Sequence, residues 1–304
     1  MRAMVDWPRF LVVTLAGALG LFALDLGWHG LVVPDMYVDY PLRPVEQIKA
    51  LLPFLLLTYL LQLPTFCYIY LRVYRSPSLG NALLWGAWGG FFVLTPNLQY
   101  FVGIPHMGWG LLAAQVVEGI ALMMLMMGYF SLAYHPRALG LVPEALQVET
   151  DWLRFIPTAI VVSLVIAMVD LAFHGTMAPR LFPGVYPPTD YPQRDLVEAA
   201  SMVPFLLSAY VFQIGIFFYL FLRIYPDRGW NNAIWWGIWG SLFLYIPDAQ
   251  IFVSEDKYTW TMLGIQLVEG VVLPLIMILT FELVFRPRAK SLGLREFEAA
   301  TGNR

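Results

Sequence analysis

Asn81-Ala-Leu-Leu-Trp-Gly-Ala-Trp-Gly-Gly-Phe-Phe-Val-Leu-Thr-Pro-Asn-Leu-Gln99 returns 151 residues later as Asn232-Ala-Ile-Trp-Trp-Gly-Ile-Trp-Gly-Ser-Leu-Phe-Leu-Tyr-Ile-Pro-Asp-Ala-Gln250. The register runs without a gap from Pro53 to Ala138, and more than a third of the 86 aligned positions are identical. Tyr59/Tyr210, Gln62/Gln213, Gln115/Gln266 and Glu118/Glu269 are among the pairs. Upstream the offset is 145, and it sets Asp25-Leu-Gly-Trp-His29-Gly30 on Asp170-Leu-Ala-Phe-His174-Gly175. Self-similarity over a fixed period marks an internal duplication.

Each copy is apolar enough to live in lipid. The chain of 304 residues is 59% hydrophobic and only 13% charged, with a mean hydropathy of +0.66. A soluble domain carries about 25% charged residues. Apolar runs of spanning length fall at 10–32, 50–71, 79–96 and 109–134, then at 155–178, 200–222, 231–247 and 260–285. The expected fold is therefore all-α, with eight transmembrane helices in two four-helix repeats. Repeat one covers 1–135, a cytoplasmic linker 136–154, repeat two 155–288 and a cytoplasmic tail 289–304.

Four crossings return the chain to the side it left, so both repeats point the same way. Thirteen Lys and Arg fall on the side of the termini, Arg72, Arg75, Arg223 and Arg286 among them. Only Arg43, Lys49, Arg180, Arg194 and Lys257 fall opposite. The positive-inside rule makes both termini cytoplasmic, in the inner membrane of a bacterium. A net charge of −3 and the absence of basic runs argue against nucleic acid as a partner. Cys67, alone and in an apolar run, reads as a small core residue.

Ionisable groups inside a bilayer cost several kcal/mol, so each is a site candidate facing the bundle interior. Asp25 and His29 lie four apart on one face of the first helix, and Gln115 and Glu118 three apart on the fourth. Asp170/His174 and Gln266/Glu269 duplicate them. Tyr59 and Gln62, with Tyr210 and Gln213, can join from the second helices, and Trp85 and Trp88 are expected to wall the pocket. Pro96 and Pro247 are expected to end the third helices. His106 and His135 have no histidine counterparts and read as surface residues.

Three chemistries suit this set. The leading one is binding: a non-enzymatic protein that takes a small or lipid-like ligand, or a membrane partner, in its outward half. A small-solute or proton-coupled permease is the alternative. A metal or haem redox protein is the third, with His29 and His174 as candidate ligands across the pseudo-twofold axis. Opposing all three, the polar groups can simply satisfy one another and pin helices together. No phosphate-binding glycine loop, Gly-x-Ser-x-Gly or His-Glu-x-x-His is present.

The segment Asp25-Leu-Gly-Trp-His-Gly-Leu-Val-Val-Pro-Asp-Met-Tyr37, with its second copy ending at Phe182, resembles the His-Gly-x6-Tyr start of small bacterial four-helix membrane proteins. The resemblance covers each repeat and implies a fused double version; it implies no activity. Gln62-Leu-Pro64 is also similar to a motif of the EXPERA-type four-helix family, whose upstream helix-borne Glu is absent here.

Overall fold

The computed structural model describes residues 5–37, 40–74, 78–103, 107–134, 150–184, 194–225 and 229–285. The first half holds α1 (Trp7–Gly27), α2 (Val45–Val73), α3 (Leu79–Val93), α4 (Thr95–Gly103) and α5 (Trp109–Ala133). The second holds α6 (Trp152–Ala172), the short α7 (Ala178–Leu181) and α8 (Leu196–Ser201), then α9 (Val203–Ile224), α10 (Trp230–Ser254) and α11 (Trp260–Val284). No strand occurs among the described residues, and one isolated bridge joins Leu42 to Glu255.

Six helical stretches are long and apolar enough to cross a membrane: Trp7–Val32, Val45–Val73, Trp109–Ala133, Trp152–Leu181, Val203–Ile224 and Trp260–Val284. Their outer faces carry exposed aliphatic side chains such as Val12, Leu57, Leu125, Val161 and Val272. A surface this apolar is stable against lipid and costly in water, so the chain is a helical membrane protein. The expected spans at 79–96 and 231–247 fall outside this group. Helix α3 is only 15 residues long, and the 25 residues of α10 include Asn231, Asn232, Pro247, Asp248 and Gln250.

Local signals account for the helix ends. Asp6 and Asp151 cap α1 and α6 by accepting from the Arg9 and Arg154 amides. Helix α6 begins at Trp152, so the region expected as linker contributes its last residues to a helix; residues 135–149 and 286–304 lie outside the described residues. The prolines behave differently from expectation. Pro96 sits in the first turn of α4, where its missing N–H removes no helical bond, and the helical path resumes after Leu94. Pro247 lies inside α10, which continues to Ser254.

Within the halves, α1 packs on α2, α3 on α5, α6 on α9 and α10 on α11. Between them, α2 meets α10 and α4 meets α9. The glycines of the duplicated Trp-rich stretch set the α3–α5 distance: a Cβ on Gly86 would stand 2.5 Å from the Met124 Cα. Small residues at such crossings let helix backbones touch. Phe66, Trp85, Phe92, Phe217, Trp236 and Phe243 form the buried aromatic centre. Cys67 is fully buried, with its thiol 3.8 Å from the Met127 sulfur.

Candidate functional site

Both histidines stand where an α-helix loosens. Helix α1 runs into a π turn, Trp28–Val32, and α6 into another, Phe173–Met177. Such turns are rare and concentrate at functional sites. Each keeps its histidine over the aspartate four residues earlier. His29 Nε2 lies 3.6 Å from Asp25 Oδ1, and His174 Nε2 lies 3.5 Å from Asp170 Oδ1.

The last helix of each half supplies the third group. Glu118 on α5 brings Oε2 to 3.4 Å from His29 Nε2, and Glu269 on α11 brings its own to 3.1 Å from His174 Nε2. Each set of three offers ligand atoms that all lie within 4.8 Å of one another. Asp25, His29 and Glu118 therefore converge, as do Asp170, His174 and Glu269. The two histidines face separate acid pairs.

The surroundings of the two sets differ. Tyr37 closes the first, with its hydroxyl 2.7 Å from His29 Nδ1 while accepting from Gln115 Nε2 at 3.4 Å. Burial raises the Tyr37 pKa, so the phenol stays protonated. Asn97 Nδ2 donates to Gln115 Oε1 at 3.4 Å. The counterpart of Tyr37 is Phe182, which has no hydroxyl. In the second set the Tyr210 hydroxyl donates to Asp170 Oδ2. Asp248 takes the place of Asn97, is 6% exposed and interacts electrostatically with Glu269, Asp170 and His174.

A cavity of about 370 Å³ opens on the first set. Asp25, His29, Tyr37, Tyr59, Gln62, Asn97, Gln115 and Glu118 give it a polar end. Leu21, Leu55, Leu122 and Met123 line its apolar walls, and Pro247, Gln250 and Ile251 close it from the other half of the chain. Its volume falls in the range of small-molecule sites. Glu118 is 4% exposed, and its second oxygen, Oε1, has no hydrogen-bond partner. Such an orphan acceptor costs about 1–3 kcal/mol.

Other expected site residues serve the joint between the halves. Gln213 accepts from Gln99 Nε2 at 2.8 Å, and Gln62 accepts from Gln250 Nε2 at 3.0 Å. Gln266 accepts from the Tyr100 hydroxyl at 3.1 Å. The tryptophans do not line this cavity. Trp85 and Trp236 are fully buried and donate from Nε1 to the carbonyls of Phe66 and Phe217, both at 3.1 Å. Trp88 and Trp239 donate to the hydroxyls of Tyr74 and Tyr225. An indole N–H in apolar surroundings needs an acceptor, and these bonds lock α2 to α3 and α9 to α10.

Sequence reasoning missed Asp248, because Pro247 was expected to end the helix; its pairing with Asn97 was the available signal. It also missed Glu282, a buried acid whose Oε1 accepts from the Gly229 amide at 3.3 Å. His106 and His135 lie outside the described residues. No family model, curated protein or solved structure matches this chain, so geometry alone carries the functional reading.

Proposed function

We propose that this protein is a membrane-embedded binding protein that holds a small amphiphile in its outward cavity. The cavity's mixed lining, with Asp25, His29, Gln115 and Glu118 beside Leu21, Leu55 and Leu122, carries the reading. Asp25 and Glu118 accept hydrogen bonds when ionised, so the ligand's polar end is a donor or carries positive charge. Its apolar body lies along Leu21, Leu55 and Leu122.

The test compares wild type with Ile251→Trp, which fills the cavity from a lining position on α10. Mass spectrometry of protein extracted in native-membrane nanodiscs should find a stoichiometric small molecule in wild type. The variant should fold and lack it. Identical small-molecule content in both would overturn the proposal.

The same reading includes eight crossings, as two like-oriented four-helix repeats with cytoplasmic termini in a bacterial inner membrane. Supporting it are the duplicated sequence, the equivalent Asp–His–Glu sets and the equivalent tryptophan bonds in the two halves. On this reading α3 continues through α4 as one crossing, and α10 is its counterpart. In a Cys67→Ala background, Ser78→Cys should react with an impermeant maleimide only after cells are opened. Gly108→Cys should react in intact cells. Labelling of both from one side would leave six crossings instead.

A further inference from the structure

We infer that each Asp–His–Glu set is a binding site for a divalent cation of the zinc class, two per chain. Geometry is the first reason. Zinc bound by carboxylate oxygen and imidazole nitrogen at about 2.0–2.2 Å in a tetrahedron sets its ligand atoms about 3.3–3.6 Å apart. The His-to-carboxylate distances are 3.6 and 3.4 Å in one set and 3.5 and 3.1 Å in the other. An N–H···O hydrogen bond spans about 2.7–3.2 Å. Three of the four distances match a tetrahedron's edge, and the fourth is closer to the length of a direct hydrogen bond.

Charge is the second. Two carboxylates and one imidazole gather in each set, and among the described residues the ion pairs of these acids are with the histidines and not with Lys or Arg. A divalent cation cancels both negative charges at once, whereas protons do so only by occupying both the histidine and a carboxylate. Charge left uncompensated in a low-dielectric interior is expensive, and one divalent ion removes it while keeping both acids as ligands. The donor set is nitrogen and oxygen without sulfur, which selects zinc or its borderline neighbours over Cu(I).

The supporting contacts and the open valence form the third. A ligating histidine commonly engages a hydrogen-bond partner through its other nitrogen, and Tyr37 stands 2.7 Å from His29 Nδ1 in that role. Glu118 Oε1 is buried without a partner. Three protein ligands leave a tetrahedral ion one position for an outside donor, and in the first set the 370 Å³ cavity supplies the room for it. Water can fill that position; the cation and the amphiphile head of the cavity reading above would draw on the same two carboxylates, and the metal does not rest on that reading. Tyr210 holds Asp170 Oδ2, leaving Oδ1 for the second cation.

The experiment uses the full chain, stripped with a chelator, reloaded with Zn²⁺ or Co²⁺ and freed of excess metal. Elemental analysis should give two ions per chain. His29→Gln and His174→Gln should each halve that content, and the double variant should hold none. Glu282→Gln, which alters a buried acid outside both sets, should keep two. Loaded wild type should also show the intense visible bands of four-coordinate Co²⁺, and Glu118→Gln, nearly isosteric, should lose its share of them. Equal metal in wild type and the double variant, or no cobalt bands, would overturn the inference. Zinc without a copurifying small molecule upholds this site and removes the amphiphile. A small molecule held by protein that takes up no metal on reloading does the reverse.

Discussion

Gly86→Val is expected to lower the stability of the purified protein by about 3 kcal/mol or more, the upper end of overpacking costs. The added Cβ would stand 2.5 Å from the Met124 Cα and 2.8 Å from the Met123 carbonyl oxygen. Both contacts are backbone, so no rotamer change relieves them, and α5 must move away from α3. That movement would also carry Glu118, on the same helix, away from His29 on α1. Gly20→Val is the control: nothing lies within 4 Å of its Cβ position, and valine suits a helix slightly better than glycine. Thermal melts in detergent should separate the two variants clearly. Equal melting temperatures would show that the α3–α5 crossing yields more easily than its geometry implies.

Arg43→Ala and Arg194→Ala should have the next largest effect, about 2–4 kcal/mol each, because charge-assisted hydrogen bonds contribute about 1.5–3 kcal/mol apiece and are not fully additive. Arg43, in the connection between α1 and α2, donates to the carbonyls of Phe252, Glu255 and Tyr258 at 3.0, 2.8 and 2.7 Å. It also lies 5.0 Å from the Phe252 ring centroid. Arg194 reciprocates, donating to Phe101 and Met107 at 3.0 and 3.4 Å and pairing with Glu198. Burial lowers the Arg43 pKa, yet an arginine stays charged in proteins. Lysine should not rescue either position, since a point ammonium does not reproduce the planar guanidinium fork. Melting temperature checks both, and wild-type values for either alanine variant would reject the clamp.

In the sequence these arginines register only as members of a minority on one side of a charge count. Their partners are main-chain carbonyls, which leave no trace in side-chain spelling. The same blindness hid the joint between the halves: Gln62 and Gln213 read as site candidates because they are polar and duplicated. Only the packing of α2 on α10 and α4 on α9 turns them toward Gln250 and Gln99. Legibility was best where spacing within one helix set the answer. Asp25 with His29, and Gln115 with Glu118, occupy their faces by helical periodicity, and the duplication singled out both sets. What spacing withheld was the contact itself, 3.4 Å between Glu118 and His29. Asp248 was hidden by a proline rule that fails at this position, where α10 runs through Pro247 to Ser254.

The arginine clamps also bear on biosynthesis. The carbonyls that Arg43 needs lie 209, 212 and 215 residues further along the chain, and Gln62 waits 188 residues for Gln250. At a synthesis rate of about 5–20 residues per second, the first half stays unpartnered at these groups for about 10 s or longer. During that interval its exposed guanidinium and amide groups are available to chaperones, to lipid headgroups or to a neighbouring nascent copy. The second half is thus the template on which the first completes its polar bonds, and a chain truncated before α9 would be recognised by quality control as unfinished.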